Sequence, residues 1–237
     1  MSQLIPGDAV SAIQAGVAVA PIEVDGHVFL TRNVYLPPQE PLPATLTLHT
    51  LAGIVDFVNH FDKSKIEYIH VEGAVEVNVY GHLTGRHQAR PCYAQASARR
   101  GAGKPFPFDK YLPQEDFVIN VQTGFVASEQ RAQVLALAGN LRDEAVKNST
   151  DDGMTQQVAV RRGISMKEEA SVPNPVHLAP YRTFPEIAQP TSAFIFRVQT
   201  GCQVALFQSA DAQWEVAAIQ AIADYLKSKL KDVVVIA

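Results

Sequence analysis

The 237-residue chain is 47% hydrophobic and 19% charged, and carries a net charge of −4. That length suffices to bury a substantial core in one large domain or two small ones. The negative balance gives no overall attraction to nucleic acid or to anionic membranes, and two distant cysteines, Cys92 and Cys202, make no disulfide framework.

The first forty residues read as an arm. Residues 8–18 fit a short helix capped by Asp8, burying Val10, Ile13 and Val17, and fit a strand equally well. Val28–Thr31 and Val34–Leu36 read as short strands before the proline-rich break Pro37–Pro43. We expect residues 1–43 to form an N-terminal extension and 44–237 a single β-rich domain.

Within that domain Thr45–Leu48 alternates as a strand. Thr50 then caps an amphipathic helix over Leu51–Phe61 whose Leu51, Ile54, Val55, Val58 and Phe61 recur at helical spacing. Ile66–Val71 and Ala74–His82 predict a hairpin about Gly73, and His87–Ala96 a third strand after a turn over Gly81–Gly85. The prolines around Phe106 and Phe108 demand an apolar dock for both rings. Gln114–Val121 starts a helix behind Pro113, and Ser128 caps a second one striped by Val134, Leu137, Ala138, Leu141 and Ala145. Thr155–Arg162 and Ile164–Ala170 predict a hairpin turning at Gly163, and Ala193–Gln199 and Cys202–Gln208 another turning at Gly201. Ala193–Val198 reads as a buried strand. Gln213–Leu230 is the last helix, with lysines toward its C-terminal end, and Val233–Ile236 a closing strand. The class is α+β: a mostly antiparallel sheet core with three to four attached helices.

Pro173–Arg197 stands apart. Five prolines fix φ along it and bias their neighbours to extended backbone, while apolar residues between them argue against a loose linker. Tyr181, Arg182, Phe184, Glu186 and Arg197 are its candidate structural or interface residues. Arg182 and Glu186 are expected to form a partly buried ion pair, with the guanidinium also serving carbonyls that proline leaves unpaired. The functional alternatives are a subunit interface, or a pocket that reads an anion through Arg182 and Arg197.

The order of these patterns resembles an uncharacterised phage and prophage family of the YfdQ type from about Leu46 onward. The likeness is densest from Gln156 to Leu230, in QVAVRRGI, MKEEASVP, LAPYRTFPEIAQPTSAFIFR and the helix with Trp214. It implies a phage or prophage origin, hence a bacterial host cytoplasm, and a β-rich fold. It implies no reaction, cofactor or catalytic residue.

No catalytic spacing emerges from the residues themselves. Gly101–Lys104 ends in the Gly-Lys of a phosphate loop, but Ala98 stands where its first glycine belongs and Pro105 blocks the helix that must follow. The seven histidines form no HExxH or i, i+4 pair, so we expect no metal, and no serine sits in a nucleophile elbow. We expect no cofactor. The tract Gly81–Lys104 contains no acidic residue and carries Arg86, Arg90, Arg99, Arg100 and Lys104, with Tyr93 among them. It is the candidate nucleic-acid contact, Arg86 and Arg90 falling on one side of a strand. Two further partners are considered: an acidic surface of another subunit, and a small molecule that the chain binds or hydrolyses. Low charge, a detachable arm and stiff extended segments make self-association into a non-enzymatic homo-oligomer the leading expectation. No stretch is long enough to span a bilayer, and no basic n-region precedes the apolar N-terminal run, so the expected location is cytoplasmic with no membrane partner.

Overall fold

A computed structural model describes residues 21–24, 27–30, 42–85, 88–99, 105–141, 150–151, 156–162, 166–171, 174–208 and 212–237; for the strands within 21–30 and 150–171 it describes pairing alone. The expected helix over 8–18, the strand Val34–Leu36, and Arg86, Arg100, Lys104 and Ala145 lie outside the described residues. The chain falls into two compact units, 1–41 and 42–237. In the first, β1 (Pro21–Val24) and β2 (His27–Leu30) pair antiparallel, Val24 opposite His27.

The second unit is α+β. Its first element is β3 (Leu46–Leu48), followed by helix α1 (Leu51–His60). The Thr50 hydroxyl accepts from the Gly53 amide at 3.0 Å, a cap that contributes about 1 kcal/mol. Leu51, Ile54 and Val58 are fully buried at helical spacing, each stabilising by roughly 1.5–3 kcal/mol. Strands β4 (Ile66–Gly73), β5 (Glu76–Gly81) and β6 (Cys92–Ser97) then form an antiparallel meander. The third strand begins five residues later than its sequence suggests. Pro91 has no amide to donate, and the chain instead bridges Thr84 to Ala89 while Gly81 donates to the Pro91 carbonyl.

A second layered group follows. β7 (Leu112–Pro113) leads into α2 (Gln114–Gly124) and α3 (Glu129–Gly139), the latter capped by Ser128. β8 (Thr150–Asp151), β9 (Gln156–Arg162) and β10 (Met166–Ser171) form a three-stranded antiparallel sheet. Then come β11 (Val176–Leu178), β12 (Ser192–Gln199), β13 (Gln203–Gln208), α4 (Gln213–Lys229) and β14 (Val234–Ile236). β12 turns into β13 through Gly201, whose φ of +81° suits glycine.

Two larger sheets organise the cores. One has the order β14-β4-β5-β6-β3, with both edge strands parallel to their neighbours. Helices α1 and α4 bury Ile54, Val58, Ile222 and Leu226 against its Ile69, Val71, Val77 and Val79. The other, β11-β12-β13-β7, is wholly antiparallel and packs Phe194, Phe196 and Val204 against Phe117, Val121 and Val134 of α2 and α3. Phe106 and Phe108 dock here: Phe108 stacks on Phe194 at 5.1 Å, and Phe106 meets Phe125 edge-on at 5.1 Å. β12 is buried on one face only. Ser192, Phe194, Phe196 and Val198 point inward, while Ile195 is exposed and Arg197 half-buried, the strict alternation of a sheet with one covered face.

Candidate functional site

The proline segment touches both cores. Its β11 residues Val176 and Leu178 lie in the core of the four-stranded sheet, and Phe184 and Ile187, six to nine residues on from Leu178, lie in that of the five-stranded sheet. Asn174 prepares the first contact: its side chain accepts from the Phe196 amide at 2.9 Å and donates to the Phe196 carbonyl, acting as one more strand residue beside β12. Pro180 bridges Phe125, and the flanking amides close the link, Val126 to Ala179 and Tyr181 to Gly124, each at 2.9 Å.

Past that bridge, side chains complete what the prolines leave undone. Gln189 Oε1 accepts from the amides of Arg182 and Thr183, and its Nε2 donates to the Phe184 carbonyl. The Thr183 hydroxyl donates to the carbonyl of Ala74 in the β4–β5 turn. Arg182 is buried. Its Nη2 donates to Ser192 Oγ and, at 3.5 Å, to the Pro190 carbonyl, and its guanidinium lies 3.8 Å from the ring centre of Trp214.

The expected Arg182–Glu186 ion pair does not form. Glu186 turns instead to the N-terminus of α1, where Oε1 accepts from the Ala52 amide at 3.2 Å. A carboxylate there meets an orphan donor and the positive end of the helix dipole together, a better partner than a guanidinium already occupied by Trp214 and Ser192. Oε2 is buried and has no hydrogen-bond partner among the described residues. Phe184 is fully buried, whereas Tyr181 is 57% exposed.

Beside this segment opens a cleft of about 690 Å³, whose lining includes Arg99, Phe108, Tyr181, Arg182, Gln208 and Trp214. Arg197 is not part of it, so the two arginines suggested as an anion pair stand apart. The basic tract divides similarly. Arg90 is spent within the fold: it pairs with Glu67, donates to the Gly81 carbonyl at 3.2 Å and lies over the Tyr68 ring. Tyr93 packs on Phe61 at 4.8 Å. Arg99 remains exposed, at the cleft rim. Arg86, Arg100 and Lys104 lie outside the described residues.

A different surface was not legible beforehand. The five-stranded sheet carries its helices on one face. On the other, Tyr68 and Tyr80 pair across β4 and β5 at 5.5 Å, and burial pushes the Tyr80 phenol and the neighbouring Cys92 thiol above their ordinary pKa values. β14 continues this face with Val234 and Ile236, 62% and 44% exposed. Their alternation about the buried Val235 was the available signal. Among the described residues no group of three or more histidine, cysteine or acidic side chains is placed to hold a metal ion, and no helix is long and apolar enough to cross a membrane. Comparison with models of known families, with curated proteins and with solved structures finds no match to this chain.

Proposed function

We propose that this chain is a non-enzymatic protein of phage or prophage origin that works by associating with copies of itself. The observation that carries the reading is the β14 edge. This strand is hydrogen-bonded to β4 on one side, belongs to no other described pairing, bears no charge, and holds Val234 and Ile236 toward solvent. Natural sheets guard such edges with charge, proline or a bulge; β14 has none of these. A second copy related by a twofold axis lays its β14 antiparallel along the first, so that one self-complementary patch serves both subunits. The low charge of the chain favours the same outcome. The phage origin rests on the sequence resemblance of the second half.

The proline segment contributes little to such contacts, because its residues other than Tyr181 are largely engaged within their own chain. Size-exclusion chromatography with light scattering at micromolar concentration tests the reading: a dimer or larger assembly is expected, and a monomer overturns it. Replacing Val234→Lys together with Ile236→Glu is expected to release monomers with an unchanged far-UV circular dichroism spectrum. An assembly that survives this pair of changes removes β14 from the interface.

A further inference from the structure

We propose that the cleft beside the proline segment binds a nucleotide, either free or as a unit of a single strand, with Arg99 facing the phosphate and the exposed Tyr181 ring receiving the base. This goes beyond self-association and does not depend on it. The cleft volume, about 690 Å³, lies in the range of small-molecule sites. Its charge runs against that of the chain: the protein is net negative, yet the described residues lining the cleft include two arginines and no carboxylate. Such a site attracts an anion while the rest of the molecule does not.

The hydrogen bonds divide the lining into a finished floor and an open rim. Gln189 and Thr183 spend their side-chain groups on the backbone around them, and Arg182 sits over the Trp214 ring and donates to Ser192 Oγ. At the rim, Arg99, Tyr181 and Gln208 share the same lining. Arg99 is exposed and forms no ion pair among the described residues. Guanidinium groups match phosphate oxygens in geometry. Tyr181, more than half exposed, offers an open ring on which a base stacks regardless of its identity, and the Gln208 amide supplies a donor and an acceptor for a base edge. The N-terminal turn of α4, entered after Ala212 with no side-chain cap of its own, brings Trp214 to the same cleft. Its dipole adds positive potential there.

Trp214 is the only tryptophan in the chain, so its fluorescence reports on the cleft directly. The 237-residue chain at low salt is titrated with adenosine monophosphate, inorganic phosphate, adenosine and a ten-nucleotide oligodeoxyadenylate. A saturable change is expected with adenosine monophosphate, weakening roughly tenfold or more in Arg99→Ala, as loss of a charge-assisted contact requires, and staying unchanged in Lys227→Ala on an exposed face of α4. Tighter binding of the oligonucleotide than of the monophosphate assigns the site to a single strand, and the reverse order to a free nucleotide. The proposal is overturned by the absence of saturable change at millimolar monophosphate and oligonucleotide, by equal binding of adenosine, or by full binding in Arg99→Ala.

Discussion

Replacing Phe184 by alanine tests how firmly the proline segment is built into the molecule. The ring is fully buried in the core that α1 and α4 share with the five-stranded sheet. The transfer of its apolar surface alone contributes about 1.5–3 kcal/mol. The cavity left behind adds to this, and the backbone around Phe184 is poorly able to collapse into it. Thr183 is tied to the Ala74 carbonyl, the Phe184 carbonyl to Gln189, and Glu186 to the first turn of α1. The cost therefore belongs in the upper part of the usual range of about 3–5 kcal/mol. For a chain of this size that corresponds to a fall in Tm of about 6–20 °C. Urea unfolding followed by far-UV circular dichroism and by Trp214 fluorescence measures it, at fixed protein concentration because association adds to apparent stability. Phe184→Leu is expected to cost about 1–2 kcal/mol. A loss under about 1 kcal/mol for Phe184→Ala, the ordinary cost of an arbitrary substitution, refutes the claim that this ring joins the segment to the sheet.

Two glycines in the first meander give opposite expectations. A Cβ on Gly81 meets the Tyr93 ring, Pro91 Cγ at 2.9 Å and the Lys65 carbonyl oxygen at 3.0 Å, whereas one on Gly73 meets nothing within 4 Å. Gly81→Ala is accordingly expected to lose roughly 1–3 kcal/mol, and Gly73→Ala to be neutral or to gain about 0.4–1 kcal/mol in the same unfolding assay; similar values for both contradict the packing described around Pro91. At Asp62 the Ser64 hydroxyl and amide, with Lys65 nearby, hold the carboxyl below its ordinary pKa. A depressed folded-state pKa gives stability that is present above the unfolded value and lost as pH falls through the folded one, so this contribution disappears only in acid, below about pH 4. Ser64→Ala is expected to raise the Asp62 pKa toward the usual carboxylate range in an NMR titration. An unmoved pKa shows that the hydroxyl has no part in it.

Local pattern carried far in this chain. Thr50 before an apolar stripe, Ser128 before another, and glycine between two alternating runs each act through neighbours a few residues away, which is why α1, the start of α3 and the β12–β13 hairpin lie where they were expected, whereas α3 ends at Gly139, before Leu141 of its expected stripe. The same holds for the dock of Phe106 and Phe108, since two large rings among prolines have no alternative to burial. Where the expectation failed, a distant group offered a better partner. Arg90 reads as one member of a basic stripe until β4 brings Glu67 and Tyr68 beside it. Arg182 and Glu186 share a helical spacing in sequence, but their backbone is not helical, and each meets something from another element.

By itself the sequence determined the α+β class, the helix caps, the hairpins and the stiffness of the proline segment, because capping, alternation and a fixed φ are properties of a few adjacent residues. Tertiary structure alone decided which core each part of that segment enters, that Glu186 serves a helix 134 residues away, that Arg99 shares a cleft with Trp214, and that β14 becomes an open edge parallel to β4. Those outcomes depend on which surfaces meet when the described sheets and helices bury their apolar faces together, and no spacing along the chain encodes that meeting.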